Sequence, residues 1–512
     1  MGYREYELKM ATEFSGEELR ERIGKELGIT DFTYQIENKS LDARQKGNIH
    51  WLIRVGVLSP EITGGPSPMP LSLHIPLMKS KQKALVAGSG PAGFFAALVL
   101  QMAGVKTTLV ERGAEVGARS VGIKEFERTG IFNAVSNYAF GEGGAGTFSD
   151  GKLTSRTKHI SEERRFILSA YVDAGGPEEI LYMAHPHLGS DNLITIVKNL
   201  REQFLALGGT MMFETQVSDL SIKDGRVTGA VTPSGTVEAD FFVVAPGHSA
   251  YETYRILMKK GVMFRTKAFA IGCRVEHPQP LINKAQWGRE SLPGVKAAEY
   301  RLTSKGDGIH PVYTFCMCPG GVVVPATAYA DTNIVNGMSR YGRDGQFANA
   351  ACVAGLSLGK LLNRDVEAEE ALDWLEALES GFHKFSSGYA APACTIREFI
   401  NKGAPSAVMP SSYPMGLKPA PLWEMLPSPI SNALREGLKD FSRKIKGFEE
   451  GTIIGLESKT SSPIQVLREK NGCCTGFENL YIVGEGSGYA GGIISSGSDG
   501  IKSAMDILSH CQ

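Results

Sequence analysis

The chain has 512 residues, 42% of them hydrophobic, enough for a sizeable core and, at about 150 residues per domain, for roughly three domain-sized units. Its 54 Lys and Arg nearly balance its 55 Asp and Glu, and a net charge of −1 excludes the global basic field that would draw nucleic acid or an anionic membrane. The cysteines at 273, 316, 318, 352, 394, 473, 474 and 511 have neither C-x-x-C nor zinc-ligand spacing, which predicts reduced thiols, no metal site and a cytoplasmic setting.

The N-terminus, MGYREYELKM, is charged and alternating, unlike the basic-then-apolar layout of a signal peptide, and reads as a half-buried strand. Ser15 and Glu18 form a capping-box signature before the helix pattern of Leu19 to Leu27. Strand-like runs at Asp31 to Ile36 and Ile49 to Val57 complete a ferredoxin-like β-α-β-β unit over 1–58, and a Pro/Gly-rich linker over 59–80 follows. About 55 residues bury little apolar surface alone, so docking onto the remainder would help this unit.

From Lys83 the pattern becomes α/β: KALVA, GSGPAG, FFAALVLQMAG and KTTLVER give strand, turn, helix, strand. Ala84 to Val105 is uncharged and long enough to cross a bilayer, but its glycines and proline divide it, so no membrane span is expected. A glycine-rich excursion occupies Phe140 to Leu153, then come a helix at Asp191 to Leu207 and strands at Met211 to Thr215, Arg226 to Val231 and Phe241 to Ala245. Strands and turns are expected over Phe264 to Ser339, and helix over Phe347 to Phe385, where the charges of Asn363 to Glu379 mark a solvated face. Prolines between Pro410 and Pro429 predict an irregular cover.

Gly88-Ser89-Gly90-Pro91-Ala92-Gly93 is G-x-G-x-x-G set between a strand and a helix. Gly88 permits the turn, Gly90 lets backbone approach a pyrophosphate, Gly93 lets the helix pack, and the helix N-terminus faces the phosphates. Glu111, about twenty residues on, ends the second strand where an acid binds ribose hydroxyls. Together these predict dinucleotide binding.

The motifs GSGPAG with Glu111-Arg112-Gly113, FGEGGAGTFSDGKL (Phe140 to Leu153), ADFFVVAPGHSA (Ala239 to Ala250), CMCPGG (Cys316 to Gly321), ESKTSSP (Glu457 to Pro463) and GEGSGYAGGI (Gly484 to Ile493) span most of the chain after residue 80. In them the sequence resembles FAD-dependent dehydrogenases distantly related to geranylgeranyl-reductase and hydroxybenzoate-hydroxylase type flavoproteins. The resemblance implies bound FAD, Arg112 beside it, Val217 against the adenine, Ala245 and Gly247 where the chain returns to the cofactor, and Gly484-Glu485 in place of the usual Gly-Asp. It also makes the N-terminal unit an accessory domain.

The residues add to this. Gly143, Gly144 and Gly146 allow close backbone approach, with Thr147, Ser149, Asp150 and Lys152 beside them; the segment is either a flavin or substrate contact or a mobile lid. Gly492, Ile493 and Ile494 open the final helix, whose N-terminus would face the flavin edge that becomes negative on reduction, a dipole worth about 0.3–2 kcal/mol. The i, i+2 spacing of Cys316 and Cys318 sends both thiols to one strand face, either beside a substrate or simply buried. His248 is a proton donor or a helix cap, Lys152 and Lys459 are anchors for an anion or surface lysines, and Tyr489 stacks on flavin or packs.

The expected fold class is therefore α/β with α+β parts: a Rossmann-like FAD-binding domain from 81–262 and 476–512, a mixed β-sheet substrate domain over 263–475, and the small N-terminal unit. The expected function is an FAD-dependent oxidoreductase passing a hydride through flavin N5 to or from a small molecule. A second strand-G-x-G-x-x-G-helix is missing from the sequence, so NAD(P)H would act only as a transient co-substrate. FAD-dependent monooxygenation is the alternative chemistry. A flavin-binding RNA or protein interaction module using Tyr3, Tyr6, Tyr34 and Trp51 is the alternative of another class, with no nucleic-acid partner expected.

Overall fold

The computed structural model describes residues 1–79, 81–406 and 410–511, so position 80 of the expected linker, 407–409 of the expected substrate domain and the final residue lie outside the described residues. The N-terminal strand Gly2–Met10 pairs antiparallel with His50–Ser59, which pairs in turn with Thr33–Asp42. The helix Gly16–Leu27 covers this sheet through Leu19 and Ile23, against Leu8, Ile53 and Val55. Its capping box forms: the Glu18 amide donates to Ser15 Oγ at 3.1 Å, and the Ser15 amide donates to the Glu18 carboxylate at 2.7 Å.

Five parallel strands form the next sheet, in the order Leu480–Ile482, Phe241–Val244, Lys83–Ala87, Lys106–Val110 and Thr210–Met212. The C-terminal part of the chain returns here, because the late strand at Leu480 pairs directly with Phe241–Val244. The helices Pro91–Met102 and Ile493–His510 pack against each other on this sheet. Gly500 makes that possible, since a Cβ there would stand 1.9 Å from the Ala92 carbonyl oxygen. Strand, turn and helix are thus held by backbone contact, which leaves the turn little freedom.

A second large sheet has eight strands. Its path runs Thr303–Ser304, Val312–Pro325, Phe347–Leu356, Phe269–Pro278, Thr452–Glu457, Ala391–Thr395 and Leu417–Pro419, with Val335–Ser339 pairing off Val312–Pro325. Phe347–Leu356 is a strand in the middle of this sheet and not the start of a helical region. Its small residues, from Ala348 to Ala354, are buried on both faces, and a continuous apolar run carries no periodicity to separate strand from helix. Helix begins later, with the short Leu358–Leu362 and then Ala368–Ser386, and the charges of the longer helix are not all solvated. Glu379 is buried and accepts hydrogen bonds from Tyr251 Oη at 3.0 Å and Ser458 Oγ at 2.6 Å. Among the described residues no helix is long and apolar enough to cross a membrane.

Candidate active site

One cavity of about 1780 Å³ runs from the Gly88 turn, between the two large sheets, to the N-terminal unit. Ordinary ligand pockets measure about 300–1,000 Å³, so this one has room for a dinucleotide and a second molecule. Gly88, Gly90, Pro91, Ala92, Glu111, Arg112 and Val217 line one end; Gly144, Ala245, Gly247, Gly484, Glu485, Gly492 and Ile493 line its middle. Gly93, Gly143, Thr147 and Ile494 do not line it.

The glycine turn is built as the sequence predicts. A Cβ on Gly93 would lie 1.9 Å from the Gly88 carbonyl oxygen, whereas one on Gly90 would meet only Gly144 Cα, at 3.7 Å. The helix Pro91–Met102 has Gly90 as N-cap and the helix Ile493–His510 has Gly492, and neither N-terminus has a side-chain cap. Both open on the cavity, so their first-turn amides are donors for an anion there. A pyrophosphate at one and an electron-rich flavin edge at the other suit this arrangement, and the residues present fit FAD.

Glu111, expected to bind ribose hydroxyls, is held by the protein itself. Its Oε2 accepts from the Ser89 amide at 2.9 Å and Ser89 Oγ at 2.7 Å; its Oε1 accepts from the Gly113 amide at 2.9 Å and the Gly141 amide at 3.1 Å. A carboxylate has about four acceptor sites. All are taken by the protein, so Glu111 ties the turn, the following strand and the glycine-rich loop together, and a ribose hydroxyl would have to displace one of these donors. Arg112 pairs with Glu252 and its guanidinium lies 3.9 Å from the Phe140 ring centroid.

The glycine-rich segment is anchored. Fully buried Arg119 donates to the carbonyls of Asn137, Tyr138, Glu142 and Gly144, at 2.8 to 3.0 Å. Thr147 Oγ1 donates back to Glu142 at 3.1 Å. With the loop so held, a mobile lid does not describe it. An arginine in a loop-facing helix carried no motif, so sequence reading passed over Arg119.

At the inner wall, Cys316 lies on a bulge. The register with Phe347–Leu356 breaks between Phe315 and Cys318, and Cys316 has φ 44°, a left-handed conformation rare outside glycine. The bulge corrects the expectation of two equivalent thiols on one strand face: Cys316 lines the cavity and Cys318 is buried behind it. Arg274 and Glu457, both buried, pair at 2.7 Å beneath them. Arg274 also donates to Asn349 Oδ1 at 2.7 Å, Asn336 Oδ1 at 3.0 Å and the Cys316 carbonyl at 2.6 Å. The neighbouring Cys318 thiol, which donates to the Cys316 carbonyl at 3.3 Å, and the charges of Arg274 and Lys152 hold the Cys316 thiol below the ordinary value although desolvation opposes this. Cys318 is pushed well up by Cys316 and by burial. Iodoacetamide is accordingly expected to alkylate Cys316 with a midpoint below the about 8.5 of an ordinary thiol, and Cys316→Ser to remove that reaction, both read by mass spectrometry. A midpoint at or above the ordinary value would contradict the assignment.

The remaining candidates divide. Lys152 pairs with Asp150 at the cavity edge; burial opposes its charge, but Asp150 outweighs it and holds the ammonium above its ordinary value. Asp150 also accepts from Arg343 at 2.7 Å, and Arg343 donates to Glu299 at 2.8 Å. Lys459 is no surface lysine: it pairs with Glu379 at 2.8 Å and lines the cavity. His248 also lines the cavity but caps nothing, for the next helix starts at Tyr251 with no side-chain cap. Neither His248 nitrogen has a well-formed hydrogen bond, although the Lys459 backbone is nearest, and burial with the charges of Lys459 and Lys267 pushes it to about 3. It is therefore neutral at pH 7 and carries no acidic proton.

Glu485 is the better acid. Glu485 is half-buried on the cavity wall, where desolvation and then the neighbouring Cys316 push its carboxyl up to about 8 although Lys267 opposes them. Tyr489 lies outside the cavity, 44% exposed, with the Arg468 guanidinium 3.9 Å from its ring centroid. Flanking glycines left the direction of that ring undetermined in the sequence, and the arginine takes its face.

Comparison with known proteins agrees with this architecture. Residues 268–460 match the family described as FAD-dependent protein, C-terminal domain-like, and 81–251 match an FAD binding domain. An uncharacterized protein of Clostridium beijerinckii is 40% identical over 439 residues, which is 84% of this chain and 81% of that one. Among solved structures, a geranylgeranyl bacteriochlorophyll reductase-like protein from Thermoplasma acidophilum is 13% identical, with 84% of this chain and 79% of that chain covered and a TM-score of 0.37. The glycine oxidase of Bacillus cereus is 13% identical, with 84% and 96% covered and a TM-score of 0.34. At those scores neither carries an argument about the reaction.

Proposed function

Because the chain belongs to the family of FAD-dependent proteins that share this C-terminal domain, we propose that it is an FAD-dependent oxidoreductase moving a hydride between the flavin and a small molecule held in the same cavity. Bound FAD supplies two-electron chemistry at N5. The chain supplies the rest. Uncapped amides at Ala92 and Ile493 bind and orient the cofactor, and the loop locked by Arg119 closes one side. Glu485 holds a proton on its carboxyl oxygen, and Cys316 presents a thiolate beside it. The observation that carries this reading is that cavity, lined at once by two uncapped helix N-termini, the Glu485 carboxyl and Cys316.

No second nucleotide-binding turn occurs among the described residues, so a nicotinamide donor would have to share the substrate end. The stacking surface needed by an RNA-binding module loses Trp51, which is buried with its indole N–H donating to the Thr12 carbonyl at 2.9 Å. Anaerobic photoreduction followed by a panel of quinones and enones is expected to give reoxidation without oxygen. Turnover that needs both oxygen and an aromatic compound would assign hydroxylation instead.

A further inference from the structure

The N-terminal sheet forms a wall of the same cavity: Lys39, Leu41, Ala43 and Trp51 line it opposite the glycine turn. It is docked through backbone. The Lys39 amide donates to the Tyr182 carbonyl at 2.9 Å, and the Ala184 amide donates to the Lys39 carbonyl at 2.9 Å. A module free on its linker would not share a β-bridge with the body of the protein.

The charges on this side are uneven. Lys39 Nζ lies 4.6 Å from the Trp51 ring centroid, and Lys296 Nζ lies 3.2 Å from that of Tyr341 and 3.3 Å from Glu179. Burial pulls both ammonium groups below their ordinary values although Glu179 opposes it. Arg156 and Arg301 are exposed on the cavity rim, and no ion pair joins either to another described residue. Lys39, Arg156, Lys296 and Arg301 all line this cavity, Lys39 and Lys296 around the one carboxylate of Glu179, while Lys152, Arg343 and Glu299 form a separate charged group in the lining. Between these cations the wall is apolar, through Leu41, Met183, Val295 and Phe315, the last 41% exposed.

We propose that the N-terminal unit is the outer wall of the substrate site, and that the substrate is an amphipathic organic anion: an apolar carbon body bearing a carboxylate held by the Lys39–Lys296–Arg301 rim. The inference rests on the oxidoreductase reading and gives its substrate class. Lys39 and Lys296 share the single carboxylate of Glu179 and Arg301 has no ion pair among the described residues, so an anion adds a second negative partner, while Leu41, Val295 and Phe315 remove its carbon body from water. Cys316 and Glu485 in the same lining receive the other end of the molecule.

The test uses the FAD-loaded full chain with decanoate, decanol and decyltrimethylammonium as probes, followed by quenching of Trp51 and Trp287, which line the cavity, and by the flavin spectrum. Decanoate is expected to bind saturably and more weakly as salt rises. Lys39→Gln with Arg301→Gln should weaken it about ten-fold, the scale of one charge-assisted contact, and leave decanol unchanged. Lys296→Gln alone provides a second variant should the first pair fold poorly. Equal binding of the three probes, no binding of decanoate, or unchanged affinity in both variants would overturn the inference while leaving the flavoprotein reading intact. A chain that takes up no FAD would overturn that reading, and this inference with it.

Discussion

Arg274→Met is expected to destabilise the protein by about 3–5 kcal/mol, because it leaves Glu457 buried without its partner. The loss is larger than that of a surface ion pair because water cannot reach the stranded carboxylate. Asn349, Asn336 and the Cys316 carbonyl lose their donor in the same step. The bulge then relaxes, so the alkylation midpoint of Cys316 should also rise. Arg274→Met combined with Glu457→Leu removes both charges and should recover much of the stability, without restoring the thiolate. Urea unfolding of the three proteins measures the first effect. A loss under 1 kcal/mol for the single variant would mean that the pair is not buried in solution.

Glu111→Gln should abolish tight FAD binding. The carboxylate accepts four hydrogen bonds, and an amide in its place turns a donor toward two of them. At about 1.5–3 kcal/mol for each hydrogen bond to a charged acceptor, the turn loses about 3–6 kcal/mol of support. Flavin retained after gel filtration reports the outcome. Full retention would show that the turn holds its shape without Glu111.

The glycine turn was legible because its geometry depends on backbone. Gly88, Gly90 and Gly93 occupy positions where a side chain would clash or would fill the approach, and such requirements leave a fixed spacing in sequence. The same holds for Gly492 and the late strand at Leu480, which declare their role by ending at a glycine turn before a helix. The inner wall was less legible. Arg274 and Glu276 stand in FAIGCRVEHP, an apolar strand buried on both faces, and a charge in such a run signals a buried partner without naming it. Glu457 lies 183 positions away. Nothing local could have joined them.

The bulge at Cys316 was hidden for a related reason. Alternation assumes an unbroken register, and the break between Phe315 and Cys318 is imposed by the neighbouring strand and by Arg274. Likewise the docking of the N-terminal unit, through Lys39 and Tyr182, is a backbone bridge that leaves no side-chain signature. His248 and Glu485 exchanged importance chiefly through desolvation, with the charges of Lys459 and Lys267 on one and Cys316 on the other: both line the cavity, but desolvation drives a histidine toward its neutral, proton-poor form and a carboxyl toward its protonated one.

The central claim is that both ends of the chain build one FAD site, and the most direct test is the flavin content of the purified full-length protein. Denaturation followed by chromatography and absorbance should release FAD, not FMN, approaching one molecule per chain, with Gly93→Ala losing it because a Cβ there would stand 1.9 Å from the Gly88 carbonyl oxygen. A protein that elutes folded, binds no added FAD and shows no flavin spectrum would contradict the account.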